Sequence, residues 1–169
     1  MRRPRTLALA TIALAGSTAP AFAAPTPAAT SGEGTGTTAA VAAPDGPLAI
    51  VAWDRTPPGG GAQRLEVVER RAGGGWSAPQ PLGAGAGQGR SDTEIALAVN
   101  RRGEAALAWR RRSARDQILL ATRTAPGAWS PLREVAGGGR LGPPRVAVGP
   151  DGTVLVTWSR ATGGRRATM

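Results

Sequence analysis

The side chains of this chain that could do chemistry are carboxylates, arginines and tryptophans. Of its 169 residues, 11 are acidic and 21 are basic, every basic residue is arginine, and there is no cysteine, histidine or tyrosine. Thiol nucleophiles, imidazole bases and thiolate or imidazole metal ligands are therefore excluded. Paired carboxylates are the remaining route to hydrolysis, and we interpret the acids instead as turn residues or solvated charges at strand ends. The acids considered for that role are Asp45, Asp54, Glu66, Glu69, Asp92, Glu94, Glu104, Asp116, Glu134 and Asp151. We expect no catalytic residue, no metal site and no cofactor.

Two tryptophans follow glycine-rich turns and are candidate ligand contacts. Trp76 and Trp129 are separated by 129 − 76 = 53 residues, and Arg70 and Arg123 precede them at the same separation. An indole face stacks on the flat apolar side of a sugar ring, and a guanidinium group binds hydroxyls or carboxylates. These four residues are the candidate ligand-binding set. The partner we expect for them is a carbohydrate or an anionic envelope polymer.

The other three tryptophans each end an apolar run that follows a turn. Trp53, Trp109 and Trp158 are separated by 109 − 53 = 56 and 158 − 109 = 49 residues. Because alternate residues of a strand point to the same face, Trp158 shares its face with Val154 and Val156. We therefore interpret these three tryptophans as packing between sheets.

The elements that must position these side chains are strands joined by tight turns. Pro44-Asp45-Gly46 and Pro150-Asp151-Gly152 combine a residue that presets φ, one that bonds its own backbone and one that accepts positive φ. Each such turn lies between two apolar runs, which predicts a hairpin, and a second hairpin follows with a glycine-rich turn and Trp-Ser. The expected fold class is all-β, built from antiparallel four-stranded repeat units of about 50 residues.

The repeated pattern, V-A-V-x-x-D-G-x-x-x-V-x-W followed by R-x-x-G-G-x-W-S-x-P, resembles the repeats of secreted bacterial β-propellers of the broad sialidase-like group. The Asp-box of that group is not matched, because Asp151 is followed directly by Gly152 and the serine is missing. The resemblance implies an incomplete propeller of about two and a half blades. Its repeats would be residues 38–90 and 91–142, with 143–169 as the first hairpin of a truncated third repeat. Sialidase-type catalysis needs a tyrosine nucleophile, which this chain lacks.

Two and a half blades cannot close a ring of four or more. Either the chain is a fragment of a longer protein, or several copies close the circle through their open sheet edges. We expect a non-catalytic module that binds or scaffolds. The alternatives are an oligomeric carbohydrate-binding lectin and a truncated piece of a secreted glycosidase-like enzyme.

The N-terminal region has the composition of an export signal. Residues 1–23 combine three early arginines, an apolar stretch of ten residues from Leu7 to Gly16, and the small-residue triplet Ala21-Phe22-Ala23. These features predict a cleaved signal peptide, and the apolar stretch is too short to span a bilayer. Residues 24–37 are rich in Ala, Pro, Thr, Ser and Gly, which predicts a disordered linker. We expect a secreted or extracytoplasmic protein with no transmembrane segment after cleavage.

The segment from Arg110 to Arg115 contains four arginines and is expected to form an exposed loop between strands. Clustered arginines attract anionic surfaces. Since the chain uses no lysine at all, we interpret the cluster mainly as compositional bias, and we expect no nucleic-acid partner.

Overall fold

The computed structural model describes residues 34–42, 48–56, 62–88, 94–112, 115–125, 127–162 and 165–168. These residues form antiparallel β-strands and contain no helix, so the expected all-β class is confirmed. The predicted signal peptide at 1–23 and the linker residues up to 33 lie outside the described residues.

The first sheet, sheet 1, has four strands in sequence order. They are β1 (Gly34–Ala42), β2 (Leu48–Thr56), β3 (Ala62–Arg71) and β4 (Gln80–Gln88), each antiparallel to the next. Strand β1 begins at Gly34, so residues 34–37 belong to a strand and not to the linker in which the sequence analysis placed them. Gly34 and Thr35 pair with Thr56 and Arg55 of β2, and the register shifts between Thr35 and Thr38.

The second sheet, sheet 2, repeats this order. Its strands are β5 (Glu94–Val99), β6 (Ala105–Arg112), β7 (Asp116–Arg123) and β8 (Arg133–Gly137). Both sheets therefore consist of consecutive hairpins, as expected when short turns join neighbouring antiparallel strands.

The C-terminal part contains more strand pairing than the single hairpin that the sequence analysis expected. Strands β10 (Arg145–Val148) and β11 (Val154–Thr157) form that hairpin. Strand β12 (Ser159–Thr162) continues after Trp158 and lies between β13 (Arg165–Thr168) and the two-residue β9 (Arg140–Leu141). Two further strands, β12 and β13, thus follow the hairpin.

The arginine-rich segment also differs from the structure that its sequence predicts. The sequence predicts an exposed loop from Arg110 to Arg115, but that prediction is wrong, because Arg110, Arg111 and Arg112 lie in β6 and pair with residues of β7. Backbone pairing continues past Trp109 because each of these arginines finds a partner in the opposing strand. Arg115 is exposed, just before β7.

The hydrophobic core lies between sheets 1 and 2. One face of sheet 1 packs on one face of sheet 2. Along each strand, every second side chain points into this core, as the strand period of two requires. The buried residues of this core are Leu48, Ile50, Ala52, Leu65, Val67, Leu82, Ala105, Leu107, Trp109, Leu119, Ala121 and Trp129. Strand β5 contacts both β1 and β10, so the first strands of successive units lie next to one another.

The three strand-ending tryptophans, which the sequence predicts to pack between sheets, are buried to different extents. Trp53 and Trp109 are buried, and Trp158 is half-buried. Trp109 belongs to the core between sheets 1 and 2. An indole that fills such a core contributes a large apolar area.

Candidate functional site

The four predicted ligand-binding residues occupy equivalent places in sheets 1 and 2. Arg70 near the end of β3 forms an isolated antiparallel bridge with Trp76, and Arg123 at the end of β7 forms the same bridge with Trp129. In both sheets a turn closed by a backbone hydrogen bond lies between the two residues. The structure therefore brings each arginine next to its own tryptophan, in two separate places.

A serine after each tryptophan holds this arrangement together. The Oγ of Ser77 accepts a hydrogen bond of 3.0 Å from the backbone N–H of Glu69, and the Oγ of Ser130 accepts one of 3.0 Å from Thr122. The backbone N–H of each serine donates back to the carbonyl of the same residue at 2.8 Å. The reciprocal bonds define the two turns as copies of one local structure, in which Glu69 corresponds to Thr122.

In sheet 2, the arginine and the tryptophan hold a carboxylate that comes from sheet 1. The Oε1 atom of Glu69 accepts hydrogen bonds from Arg123 Nε at 2.7 Å and from Trp129 Nε1 at 2.8 Å. Arg123 also donates through Nη1 to the carbonyl of Gly103 at 2.8 Å. The side chain of Arg123 is 3% exposed and that of Glu69 is 16% exposed. We call this group of Glu69, Arg123 and Trp129 the seam cluster.

Burial makes the seam cluster a strong contact. Its hydrogen bonds are charge-assisted, and such bonds are shorter and stronger than neutral ones. A buried guanidinium without its carboxylate would leave an uncompensated charge, which is strongly destabilising. The cluster therefore ties sheet 1 to sheet 2 at the edge of their shared apolar core.

Glu69 is not among the site residues that the sequence predicts. Its place in the sequence predicts a solvated charge at a strand end, whereas the side chain lies largely enclosed between two sheets. A signal was present, because Glu69 and Thr122 differ in charge directly before an arginine that both repeats share, Arg70 in the first and Arg123 in the second. The contact itself joins residues 123 − 69 = 54 positions apart, so no local pattern contains it.

The equivalent pair in sheet 1 has a different environment. Arg70 and Trp76 are both half-buried, and the three glycines between them, Gly73, Gly74 and Gly75, are exposed. Arg70 Nε donates to the carbonyl of Gly74 at 2.9 Å. This pair therefore lies near the surface, while Arg123 and Trp129 lie inside the molecule.

A second buried arginine connects sheet 2 to the short strand β9. Arg110 is buried, forms an ion pair with Glu94 at 2.9 Å through Nη2, and donates through Nη1 to the carbonyl of Leu141 at 2.7 Å. The charge of Arg110 is thus bound by groups of the protein itself.

A polar turn links sheet 2 to the C-terminal hairpin. Asn100 Nδ2 donates to Glu104 Oε2 at 2.6 Å and to the carbonyl of Gly149 at 2.8 Å, and Arg102 forms an ion pair with Glu104 at 2.8 Å. The hydrogen bond from Asn100 and then that from Arg102 hold the pKa of Glu104 below its ordinary value. A shallow cavity of about 290 Å³ lies beside this turn, lined by Val99, Asn100, Arg101, Arg102 and Pro150.

Strands β6, β7 and β8 of sheet 2 carry a more exposed row of polar contacts. Arg111 donates to Gln117, Gln117 donates to Glu134, and Arg115 forms an ion pair with Glu134 at 3.2 Å. Because Arg115 and Glu134 are well exposed, solvent screens this pair.

Within the part of the chain that the structure describes, no three acidic side chains are grouped as metal ligands. None of the described segments is a helix of the length and apolarity that would cross a bilayer. No protein family, curated protein or solved structure matches this chain.

Proposed function

We propose that this protein is an exported, non-catalytic repeat module of β-propeller-like architecture that binds or scaffolds other molecules. In this proposal each four-stranded sheet is one blade, and the C-terminal strands are an incomplete further blade. The blades stack through their faces, with their first strands side by side.

The observation that carries the proposal is the seam cluster and its context. Sheets 1 and 2 share one strand order and one arrangement of Arg, Trp and Ser, and a carboxylate of the first is held by the second. Units that bury their faces only against a neighbour are the hallmark of repeat architectures. The adjacency of β1, β5 and β10 supports a radial order of the units.

A binding or scaffold role agrees with how the buried charges are used. Arg123, Glu69 and Arg110 are directed at protein groups that join one sheet or strand to another. Charges engaged in this way stabilise a framework. The early arginines, apolar stretch and small-residue triplet of residues 1–23 support export.

Export is tested by expressing the full chain in a secreting bacterial host. We expect mass spectrometry of the extracytoplasmic fraction to find a chain beginning at Ala24. The variant Ala23→Arg should block processing, because signal peptidase requires a small residue there, whereas Ala28→Arg should be processed normally. An unprocessed wild-type chain confined to the cytoplasm would refute export.

The non-catalytic assignment is tested by incubating the purified mature chain with a panel of aryl glycosides. The oligomeric state of the same chain is measured by size-exclusion chromatography with light scattering. We expect no release of the aryl group above the rate in buffer. Turnover that follows the protein through purification would refute the non-catalytic assignment. A defined trimer that binds neutral sugars would favour the lectin alternative.

A further inference from the structure

The C-terminal strands expose a sheet face whose counterparts in sheets 1 and 2 are covered. Leu155 is 61% exposed, whereas Ile50 and Ala106, at the equivalent positions, are fully buried. We call this face the outer C-terminal face, and its residues are Arg140, Arg145, Ala147, Leu155, Thr157 and Ala161. We propose that it docks a β-sheet of a different protein, one that presents carboxylates beside an apolar side chain. This inference deepens the proposed function and rests on it, since it names the kind of partner that the module scaffolds.

Strand register places these residues on one face. Ala147 pairs with Leu155 and Arg145 with Thr157 across β10 and β11. Strands β9 and β12 likewise pair Arg140 with Ala161. Residues that face each other across a strand pair point to the same side of the sheet.

Exposure agrees with this register. Leu155 and Ala161 are exposed, whereas Val156 and Arg160, at alternating positions, are half-buried. Since alternate residues of a strand point to opposite faces, the exposed residues share the face that is directed away from sheet 2.

The charge of the outer C-terminal face is positive and is not balanced within it. Asp151 is the one acid in the sequence from 140 to 162. Its two carboxylate oxygens accept hydrogen bonds from Thr153 within the turn, at 3.0 and 2.8 Å. Arg140 and Arg145 are exposed and form no ion pair with an acid in the part of the chain that the structure describes. Both guanidinium groups can therefore bind carboxylates of a partner.

The contact between sheets 1 and 2 shows how one sheet of this protein receives another. Apolar residues fill its core, and at its edge Arg123 of sheet 2 binds Glu69 of sheet 1 at 2.7 Å. Ile50 lies on the same face as Glu69, since the two residues pair. An apolar side chain beside an arginine–carboxylate pair is thus the pattern already used between sheets. The outer C-terminal face offers the apolar side chain and the arginines, so its partner must supply the acids.

A sheet suits this face better than a sugar does. Sugar rings stack on aromatic side chains, and Trp158, the aromatic residue of these strands, is at an alternating position with Val156 and Arg160, on the opposite face. Leu155 and Ala147 instead offer aliphatic surface next to arginines, a combination typical of contacts between proteins.

A second copy of this chain does not fit the face. Two copies joined through it would bring the arginines of one copy against those of the other, and like charges oppose such a contact. The far face of sheet 1 is not open to it either, because Ala49 and Trp53 on that face are 7% and 2% exposed. The expected partner is therefore a different, acidic protein.

The face is tested on the mature chain with a disulfide-closed β-hairpin peptide as the probe. One strand of the peptide reads Leu-x-Glu-x-x-x-Glu, which copies the spacing of Leu155, Thr157 and Ala161 (157 − 155 = 2 and 161 − 157 = 4). In the control peptide, glutamine replaces both glutamates. The measurement is the shift of backbone amide signals in ¹⁵N–¹H NMR spectra. We expect the acidic peptide, at millimolar concentration, to move the signals of Leu155 and Ala161 and to bind about fivefold more tightly than the control.

Matched variants separate this face from general charge attraction. Arg145→Glu should weaken binding of the acidic peptide on the order of tenfold. Arg133→Glu makes the same charge change at an exposed residue of β8 and should weaken it by less than about twofold. Leu155→Ser should weaken it about threefold, because apolar contact is lost.

A charge-reversed pair keeps the test independent of folding. The double variant Arg140→Glu with Arg145→Glu should bind a peptide with lysines in place of the glutamates, and should bind it more tightly than the wild type does. Binding of the lysine peptide would also show that the double variant is folded.

Three results would overturn the inference: equal binding of the acidic and control peptides, equal effects of Arg145→Glu and Arg133→Glu, or tighter binding of a galacturonate oligomer than of the acidic peptide. The last result would assign the face to an acidic polysaccharide. Unmoved signals in an otherwise well-dispersed spectrum would reject the docking face alone, because processing and the glycoside panel test the proposed function separately.

Discussion

At the scale of residues, the seam cluster is the main polar feature that connects distant parts of the chain. One carboxylate oxygen of Glu69 receives a guanidinium and an indole N–H from residues 54 and 60 positions away. Sequence analysis identified Arg123 and Trp129 as a pair, but as contacts for a ligand. In the folded chain, both donate to a protein carboxylate, and Trp129 is only 8% exposed.

The stability contributed by the seam cluster is tested by Glu69→Gln. The substitution leaves the buried guanidinium of Arg123 without its counter-charge, so we expect the free energy of unfolding to fall by about 3 kcal/mol. The measurement is urea denaturation of the wild-type and variant chains at neutral pH.

The matched control for that measurement is Glu134→Gln, which removes the carboxylate of the exposed ion pair with Arg115. We expect a loss below about 1 kcal/mol, because solvent screens exposed pairs. Equal losses for the two variants would contradict the special role of Glu69.

At the scale of elements, the turn between β5 and β6 closes its own hairpin and also contacts the next hairpin. Gly103 adopts a φ of 82°, which places the chain in a conformation that favours glycine. Asn100 accepts hydrogen bonds from the backbone N–H groups of Arg102 and Glu104 and donates to Gly149 of the next hairpin. The residues that close one hairpin thus also position the following one.

The hydrogen bonds of Glu104 in this turn predict that the stability of the protein depends on pH. The pKa of Glu104 is lowered from its ordinary 4.5 by hydrogen bonds from Asn100 and Arg102. A carboxyl group with a lowered pKa in the folded state contributes stability above its unfolded pKa and loses that contribution as the pH falls through the folded value. We therefore expect the free energy of unfolding to decrease as the pH falls below about 4.5.

Denaturation curves across this acidic range, for the wild type and Glu104→Gln, measure the effect. The variant should show a shallower decrease. Part of the slope should remain, because hydrogen bonds from the backbone and side chain of Thr153 also lower the pKa of Asp151 from 3.8. Identical slopes for the two chains would show that Glu104 does not contribute.

At the scale of the whole molecule, burial depends on which unit a repeated position belongs to. Ile50, Ala106 and Leu155 are equivalent positions, since 106 − 50 = 56 and 155 − 106 = 49, the separations of the strand-ending tryptophans. Ile50 and Ala106 are fully buried, whereas Leu155 is 61% exposed. The first two lie on faces covered by a following unit, and Leu155 lies on the outer face of the C-terminal hairpin.

This difference predicts opposite outcomes for two similar substitutions. Ile50→Ala should lower the free energy of unfolding by about 3 kcal/mol, because it opens a cavity in the core between sheets 1 and 2. Leu155→Ala should change it by no more than about 0.5 kcal/mol. Thermal or urea unfolding measures both, and a large loss for Leu155→Ala would mean that a further element covers this face in solution.

Much of the fold could be predicted from local sequence. The apolar runs, the turn glycines and the alternation of side chains indicated an all-β chain with antiparallel hairpins, and these are confirmed. The strand limits were less accurate, as Arg110 to Arg112 show. An arginine-rich run resembles a solvated loop until a neighbouring strand provides its backbone partners.

The sequence by itself determined the strand class, the turns and the pairing of each arginine with its nearby tryptophan. These depend on φ preferences and on the two-residue period of a strand, which act over a few residues. The tertiary structure alone decided that Arg123 and Trp129 enclose a glutamate while Arg70 and Trp76 lie near the surface. The physical reason is that the partner of a charge is chosen by the stacking of whole sheets, which brings together residues more than 50 positions apart.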